Sequence, residues 1–278
     1  MNRKAVFLDV DGTLINDFGL VPTSAAEAIR AARTNGHLVF LCTGRSMVEL
    51  APELLAIGFD GFVLASGAFV QVASDVLAHR RLTAEALRHV ADYFDAHGGG
   101  YYFQANDGVY ATPAARDLLG RIVTDAVAAD PAFDDIDHGL LGYVDTIDVD
   151  ADPYLLPITK AIYFDAHVTI EEIRTEFADF DIVPSSVTVF GTSAGEMMIA
   201  GVHKATGIDV VLDHLGIDRA DTIAIGDSYN DLEMLAHVAV GIAMGNAPKA
   251  VKDIADEVTT TPDDHGVRLA FQRHGLMG

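Results

Sequence analysis

The chain has 278 residues, 50% of them hydrophobic and 21% charged. That composition excludes a disordered or collagen-like chain, and at roughly 150 residues per domain it leaves room for about two domains. Eighteen Lys and Arg stand against 41 Asp and Glu, a formal net charge of −23, which repels phosphate backbones and anionic lipid and argues against nucleic acid or a membrane surface as partner.

Cys42 is the one cysteine, so an internal disulfide and a cysteine-built zinc cluster are excluded. It ends an apolar run and is expected to be a buried filler. The opening MNRKAVFLDV has no apolar signal core, and no stretch reaches the 18 apolar residues that a membrane-spanning helix needs. A cytoplasmic protein is the expectation.

In chain order, residues 5–10 (AVFLDV) form a β-branched and aromatic run that stops at Asp-Gly, a strand followed by a turn. Apolar positions three and four apart predict a helix from Pro22 to Thr34, and HLVFLCT (37–43) is a strand covered on both faces. A helix over 46–57 and a strand over 61–66 complete a βαβαβ order. That order implies a parallel sheet with helices on both sides.

The middle reads differently. A helix over 83–97 precedes two aromatic-rich strands, 101–106 and 108–111, joined by Asp107-Gly108 in a hairpin. A helix (113–129), an acidic stretch through 152 read as a solvated face, a strand (158–165), a helix (169–178) and strands near 180–191 follow. Tyr101, Tyr102 and Phe103 are expected to fill the core of this part. From about 196 the first pattern returns, with strands at 196–200, 222–227, 238–244 and near 256–260 between helices. The expected fold is therefore α/β: a doubly wound, mostly parallel Rossmann-like sheet from 1–81 and 195–278, with an α+β module inserted at 82–194.

Four motifs fall after separate strands of the parallel set. Asp9 and Asp11 of Asp9-Val10-Asp11-Gly12-Thr13 lie at a strand's carboxyl end, where open α/β sheets bind ligands. An ordinary Asp-Gly turn would carry the same residues. Thr43-Gly44-Arg45 offers a hydroxyl and backbone N–H groups that could hold a phosphoryl oxygen, or merely cap a helix. Lys204 opens a helix against its dipole, which suggests a bound anion unless it is a solvated surface lysine. Asp227 and Asp231 of GDSYND are spaced for a hard cation such as Mg²⁺, or for capping a helix. Together they supply a nucleophile, a proton carrier, a phosphate clamp, a cation and a metal cradle, the inventory of phosphoryl transfer.

On these motifs the sequence resembles the haloacid dehalogenase superfamily, in its Cof-like branch of phosphatases with an inserted type IIB α/β cap. The resemblance implies that Asp9 is the nucleophile, Asp11 the general acid and base, Thr43 a phosphoryl ligand and Lys204 the charge-neutralising cation. It implies Mg²⁺ on Asp9, Asp227 and the carbonyl of Asp11, with Asp231 beside it. Gly12, Gly44, Arg45, Ser66, Gly67 and Asn230 complete the expected phosphate- and substrate-binding set. VGIAMGNAPKAVK also follows the family pattern. Three departures stand out: Ser66 replaces the usual asparagine before Gly67-Ala68, Ala205 replaces a glycine after the lysine, and Glu196-Met197-Met198-Ile199 lacks a proline.

The expectation is a Mg²⁺-dependent phosphatase of a small phosphorylated metabolite, a monomer or weak homo-oligomer, whose cap closes over the sheet edge and sets specificity. The alternatives are a phosphomutase of the same fold and a non-catalytic regulatory protein that only binds a phosphometabolite. His203, next to Lys204, is a further candidate for substrate contact.

Overall fold

The computed structural model describes residues 3–16, 19–130, 140–185, 187–190 and 193–278. It separates into two compact units, one formed by residues up to 78 and from 202 onward, the other by 79–201. No described helix is long and apolar enough to cross a membrane.

The first unit opens with β1 (Ala5–Leu8), α1 (Thr23–Thr34), β2 (Leu38–Cys42), α2 (Pro52–Leu55), β3 (Gly61–Leu64), β4 (Phe69–Val72) and β5 (Asp75–His79). The second contributes α3 (Ala84–His97), β6 (Gly100–Ala105), β7 (Val109–Tyr110), α4 (Pro113–Ala129), α5 (Leu140–Asp145), β8 (Ile147–Asp148), β9 (Ile158–Phe164), α6 (Ile170–Glu176), β10 (Phe180–Pro184) and β11 (Gly195–Ile199). The first resumes with α7 (Lys204–Leu215), β12 (Thr222–Gly226), α8 (Leu232–His237), β13 (Val240–Ala243), α9 (Lys249–Ile254), β14 (Glu257–Val258) and α10 (Gly266–Arg273).

The sheet of the first unit runs β14-β13-β12-β1-β2-β3-β4-β5. It is parallel from β14 to β3 and turns antiparallel at β4. Successive side chains of a strand point to opposite faces. Val6, Leu8, Val39 and Leu41 therefore pack with Ile29 of α1 and Phe271 of α10, while Phe7, Phe40 and Cys42 pack with Ile208 and Val211 of α7 and Met234 of α8. With both faces covered by helices, the strands must be apolar throughout. The fold is doubly wound α/β as expected, and Cys42 is a buried free thiol, pushed up in pKa by its burial.

The sheet of the second unit runs β10-β11-β9-β6-β7-β8. It is antiparallel except for the β7–β8 pair. Tyr101 and Phe103 join Leu87 and Phe94 of α3 on one face, and Tyr102 joins Leu119 and Val123 of α4 on the other. The aromatic run is core, as its pattern implied.

Several boundaries differ from the expectation. The strand placed at 196–200 as the return of the first unit is β11, paired antiparallel with β9 and β10; the units divide at 201/202 and 78/79. The helix expected over 46–57 is a 3-10 turn at Met47–Glu49 followed by the single turn of α2, because Pro52 has no N–H to continue a helix. The strands expected near 180–191 reduce to β10 and a 3-10 turn at Thr188–Phe190. The hairpin β4–β5 was not anticipated. The acidic stretch holds α5 and β8 in its later part, and its residues 131–139 lie outside the described residues.

Candidate active site

β1 delivers Asp9 to the carboxyl end of the sheet, where its N–H still donates to Ile225 O of β12 at 3.0 Å. The chain then turns sharply: the N–H groups of Leu14 and Ile15 both donate to Val10 O at 2.9 Å. Gly12 in this turn has φ +71, and a Cβ there would lie 2.3 Å from Asp227 Oδ2. Glycine is thus required twice, by conformation and by space.

Neighbouring β12 ends at Gly226, followed by Asp227 and the 3-10 turn Tyr229–Asp231. Asp231 Oδ2 accepts the N–H groups of Asp227 (2.9 Å) and Ser228 (3.0 Å). Its Oδ1 accepts from Lys204 Nζ at 2.6 Å. The capping reading of Asp231 therefore holds, with its second oxygen paired to the lysine.

Lys204 enters from the first turn of α7 and is 0% exposed, so it is not a solvated surface lysine. Its Nζ donates to Asp9 Oδ1 at 2.5 Å, to Asp231 Oδ1 at 2.6 Å and to Asn230 Oδ1 at 3.4 Å. A buried ammonium must be paired on every side it can be, and here the end of β1 and the turn after β12 supply the partners. The start of α7 is held close by Gly67, where a Cβ would lie 2.4 Å from His203 O. Gly67 thus sets this packing. Asn230 also accepts from Ser228 Oγ at 2.7 Å.

Thr43, buried at the end of β2, accepts Arg45 N–H on its Oγ1 at 3.2 Å. The turn-capping role is therefore present, and it leaves the hydroxyl hydrogen to donate to a ligand. A Cβ at Gly44 would lie 3.5 Å from Ser66 Oγ and 3.6 Å from Asn230 Nδ2, so the loops after β2, β3 and β12 converge. Ser66 sits in a run of positive φ: Ala65 +47, Ser66 +53 and Gly67 +99. Asp11 lies apart from the buried cluster; its carboxylate is gripped by Arg45 through two hydrogen bonds, at 2.9 and 2.6 Å.

Oxygens of Asp9, Asp227 and Asp231 all lie within 4.8 Å of one another. These three carboxylates stand against one ammonium, paired with Asp9 and Asp231, so the cluster carries formal negative charge in excess. Burial pushes the pKa of Asp9 up and Asp231 adds to this, with Lys204 opposing. Burial and then Asp231 push Asp227 up to about 7. Burial lowers the pKa of Lys204, but Asp231 and Asp9 outweigh it and hold the pKa above the ordinary lysine value.

The sequence reading missed Asn246. Its Nδ2 donates to Gly12 O at 2.9 Å and to Asp227 Oδ2 at 3.0 Å, bridging the first loop and the Asp227 loop. Thr13 Oγ1 also reaches Asp227 Oδ1, at 3.3 Å. The only sequence signal for Asn246 was its place in the stretch VGIAMGNAPKAVK.

The family model of haloacid dehalogenase-like hydrolases matches residues 6–271. The 5-amino-6-(5-phospho-D-ribitylamino)uracil phosphatase YcsE of Bacillus subtilis is 27% identical over 278 residues, 99% of this chain and 96% of that protein. Phosphatase YwpJ of the same organism is 26% identical over 283 residues, 95% of this chain and 97% of its own. Among solved structures, a protein from Geobacillus kaustophilus superposes with a TM-score of 0.81 at 28% identity, covering 99% of this chain and 100% of that one. A HAD subclass IIB sugar phosphatase superposes with a TM-score of 0.74 at 25% identity, covering 98% and 99%. A match along nearly the whole chain, added to the Asp9 loop and Lys204 at one sheet edge, places this chain among the haloacid dehalogenase-like hydrolases, in their Cof-like phosphatase branch.

Proposed function

We propose that this protein is a Mg²⁺-dependent phosphatase that hydrolyses a small phosphate monoester through an aspartyl-phosphate on Asp9. The observation that carries the reading is the buried Asp9–Lys204–Asp231 triplet, with distances of 2.5 and 2.6 Å, beside the Asp227 carboxylate.

The donors suit a divalent cation. Hard cations take oxygen ligands, and the cluster has more carboxylate charge than Lys204 neutralises. Asp231 spends one oxygen on the Lys204 ammonium and the other on backbone N–H groups, whereas Asp227 accepts from the neutral side chains of Thr13 and Asn246, so Asp9 and Asp227 are the residues that would hold the ion, with the Asp11 carbonyl as the family implies. When bound, Mg²⁺ supplies charge neutralisation between the nucleophile and the phosphoryl oxygens.

Lys204 fixes one oxygen of Asp9 and leaves the other for attack. That oxygen bonds to phosphorus as the ester P–O bond breaks, and Asp11 gives its proton to the departing alkoxide. A water then attacks the phosphorus of the aspartyl-phosphate. Asp11 takes the proton from this water, and the P–O bond to Asp9 breaks, restoring the carboxylate. One group serves both steps because they move the proton in opposite directions. Thr43 and the N–H groups around Gly44 hold phosphoryl oxygens, Asn230 and Ser66 border the same space, and Asp231 keeps Lys204 and the Asp227 loop in place.

The second unit, 79–201, is the proposed specificity module. The relatives named for a ribityl phosphate and for a sugar support an ester on a sugar or polyol chain as the substrate class. In the test, phosphate release from 4-nitrophenyl phosphate and from a panel of phosphorylated sugars, nucleotides and cofactors is measured with and without Mg²⁺. Asp9→Asn is expected to abolish turnover in a folded protein, and EDTA to stop the wild type. Turnover that survives either change would overturn the corresponding role.

A further inference from the structure

Arg45 and Asp11 form a fork-to-fork ion pair, Nε to Oδ2 at 2.9 Å and Nη2 to Oδ1 at 2.6 Å. Both oxygens of the proposed proton carrier are thereby occupied. The Asp11 side chain is 55% exposed, whereas those of Asp9 and Asp231 are buried. Asp11 is also absent from the carboxylates grouped within 4.8 Å around Asp227.

Arg45 is fixed by its own loop. Its Nη1 donates to Glu49 O at 2.9 Å, and Glu49 is tied back to Ser46 N–H at 2.7 Å. Its backbone N–H donates to Thr43 Oγ1 at 3.2 Å, and its carbonyl accepts Ala65 N–H at 2.9 Å. The guanidinium is thus a mounted fork, and Asp11 is the partner at the solvent edge. Lys204, the buried cation of the site, is already shared by Asp9 and Asp231.

A phosphate ester presents the same paired-oxygen geometry as a carboxylate, with more charge. We propose that Arg45 is a positioning residue that exchanges partners: two phosphate oxygens of the substrate take the guanidinium from Asp11, and the released Asp11 carboxylate takes a proton from solvent and delivers it to the leaving group. The guanidinium keeps two hydrogen bonds throughout, and a partly exposed ion pair is weak enough to give way. Arrival of the ester is thereby coupled to release of the proton carrier. This inference rests on the phosphatase reading above.

The test is a double-mutant cycle on binding rather than turnover. Inorganic phosphate, with Mg²⁺ present, is titrated calorimetrically into the wild type, Arg45→Met, Asp11→Asn and the double variant. Arg45→Met is expected to weaken binding about tenfold, and Asp11→Asn, which removes the competitor for the fork, to tighten it about fivefold. In the Arg45→Met background, Asp11→Asn is expected to change affinity by less than about twofold. Equal tightening in both backgrounds would overturn the exchange, because Asp11 would then act only as a nearby negative charge. Arg45→Lys keeps the charge without the fork and is expected to bind with intermediate affinity; if Arg45→Met does not fold, the same cycle on Arg45→Lys decides, and undiminished coupling there overturns the proposal. A wild type that does not bind phosphate overturns the phosphatase reading with it, whereas binding without coupling overturns the exchange alone.

Discussion

Gly12 faces Asp227 across the site so closely that a side chain on the glycine would lie 2.3 Å from the Asp227 carboxylate. Gly12→Ala is expected to push Asp227 away and to strain the turn, since an L-residue at φ +71 costs about 1–2 kcal/mol. The measurements are thermal unfolding and Mg²⁺ titration. Stability should fall, and Mg²⁺ affinity should drop at least about tenfold. Unchanged affinity would show that Asp227 is not the ion's partner.

Lys204→Met leaves three clustered carboxylates without their ammonium. Removing one partner of a buried ion pair costs about 3–5 kcal/mol. Urea unfolding in EDTA is expected to show a loss of that size, and added Mg²⁺ to recover part of it by replacing the missing positive charge. Turnover should be lost in either condition.

Asn246→Ala removes the amide that links Gly12 O to Asp227 Oδ2 at 2.9 and 3.0 Å. Groups that orient a metal ligand are worth about 10–100-fold in affinity or activity. We expect Mg²⁺ affinity to fall about tenfold with little change in the melting temperature, because Asn246 lies on the exposed side.

His37 is buried, and its Nδ1 accepts Lys4 N–H at 3.1 Å. Burial is the main cause that lowers its pKa below 6.5, and the Lys4 charge acts in the same direction. The folded protein therefore binds this proton less readily than the unfolded chain. Stability from this site is full above pH 6.5 and is lost as pH falls below it, by at most about 1.4 kcal/mol per pH unit. His37→Asn should flatten the curve of unfolding free energy between about pH 5 and 7. An unaltered slope would place the proton uptake elsewhere.

How much of this was legible in the sequence depended on whether a signal was local. The strands of the first unit could be read because helices on both faces force them to be apolar from end to end. The hairpin β4–β5 was hidden by its own turn, where Ala73 takes positive φ without the glycine or asparagine that announces such a turn. The strand Gly195–Ile199 was read as a strand but given to the wrong sheet, since its letters do not specify that β9 and β10 are its partners. The catalytic-looking loops were legible because their carboxylates sit at fixed spacings after strands. Asn246 was not, because one asparagine before a helix looks like a cap. The Arg45–Asp11 grip is set by side-chain direction, which spacing alone does not carry.

Ala5 lies opposite Thr222 in the register of β1 and β12, while residues 79–201 form a continuous segment with a sheet of its own. During synthesis the insert can close its hydrogen-bond ladders once β11 leaves the ribosome. The earlier half of the first unit must wait for α7 and β12, with β1 lacking one neighbour until then. Pairing across so long a separation is slow, and an open strand edge invites aggregation in the interval. The nascent chain is thus most exposed to misassembly between emergence of Asp9 and emergence of Asp227, when the carboxyl edge of the sheet is half built.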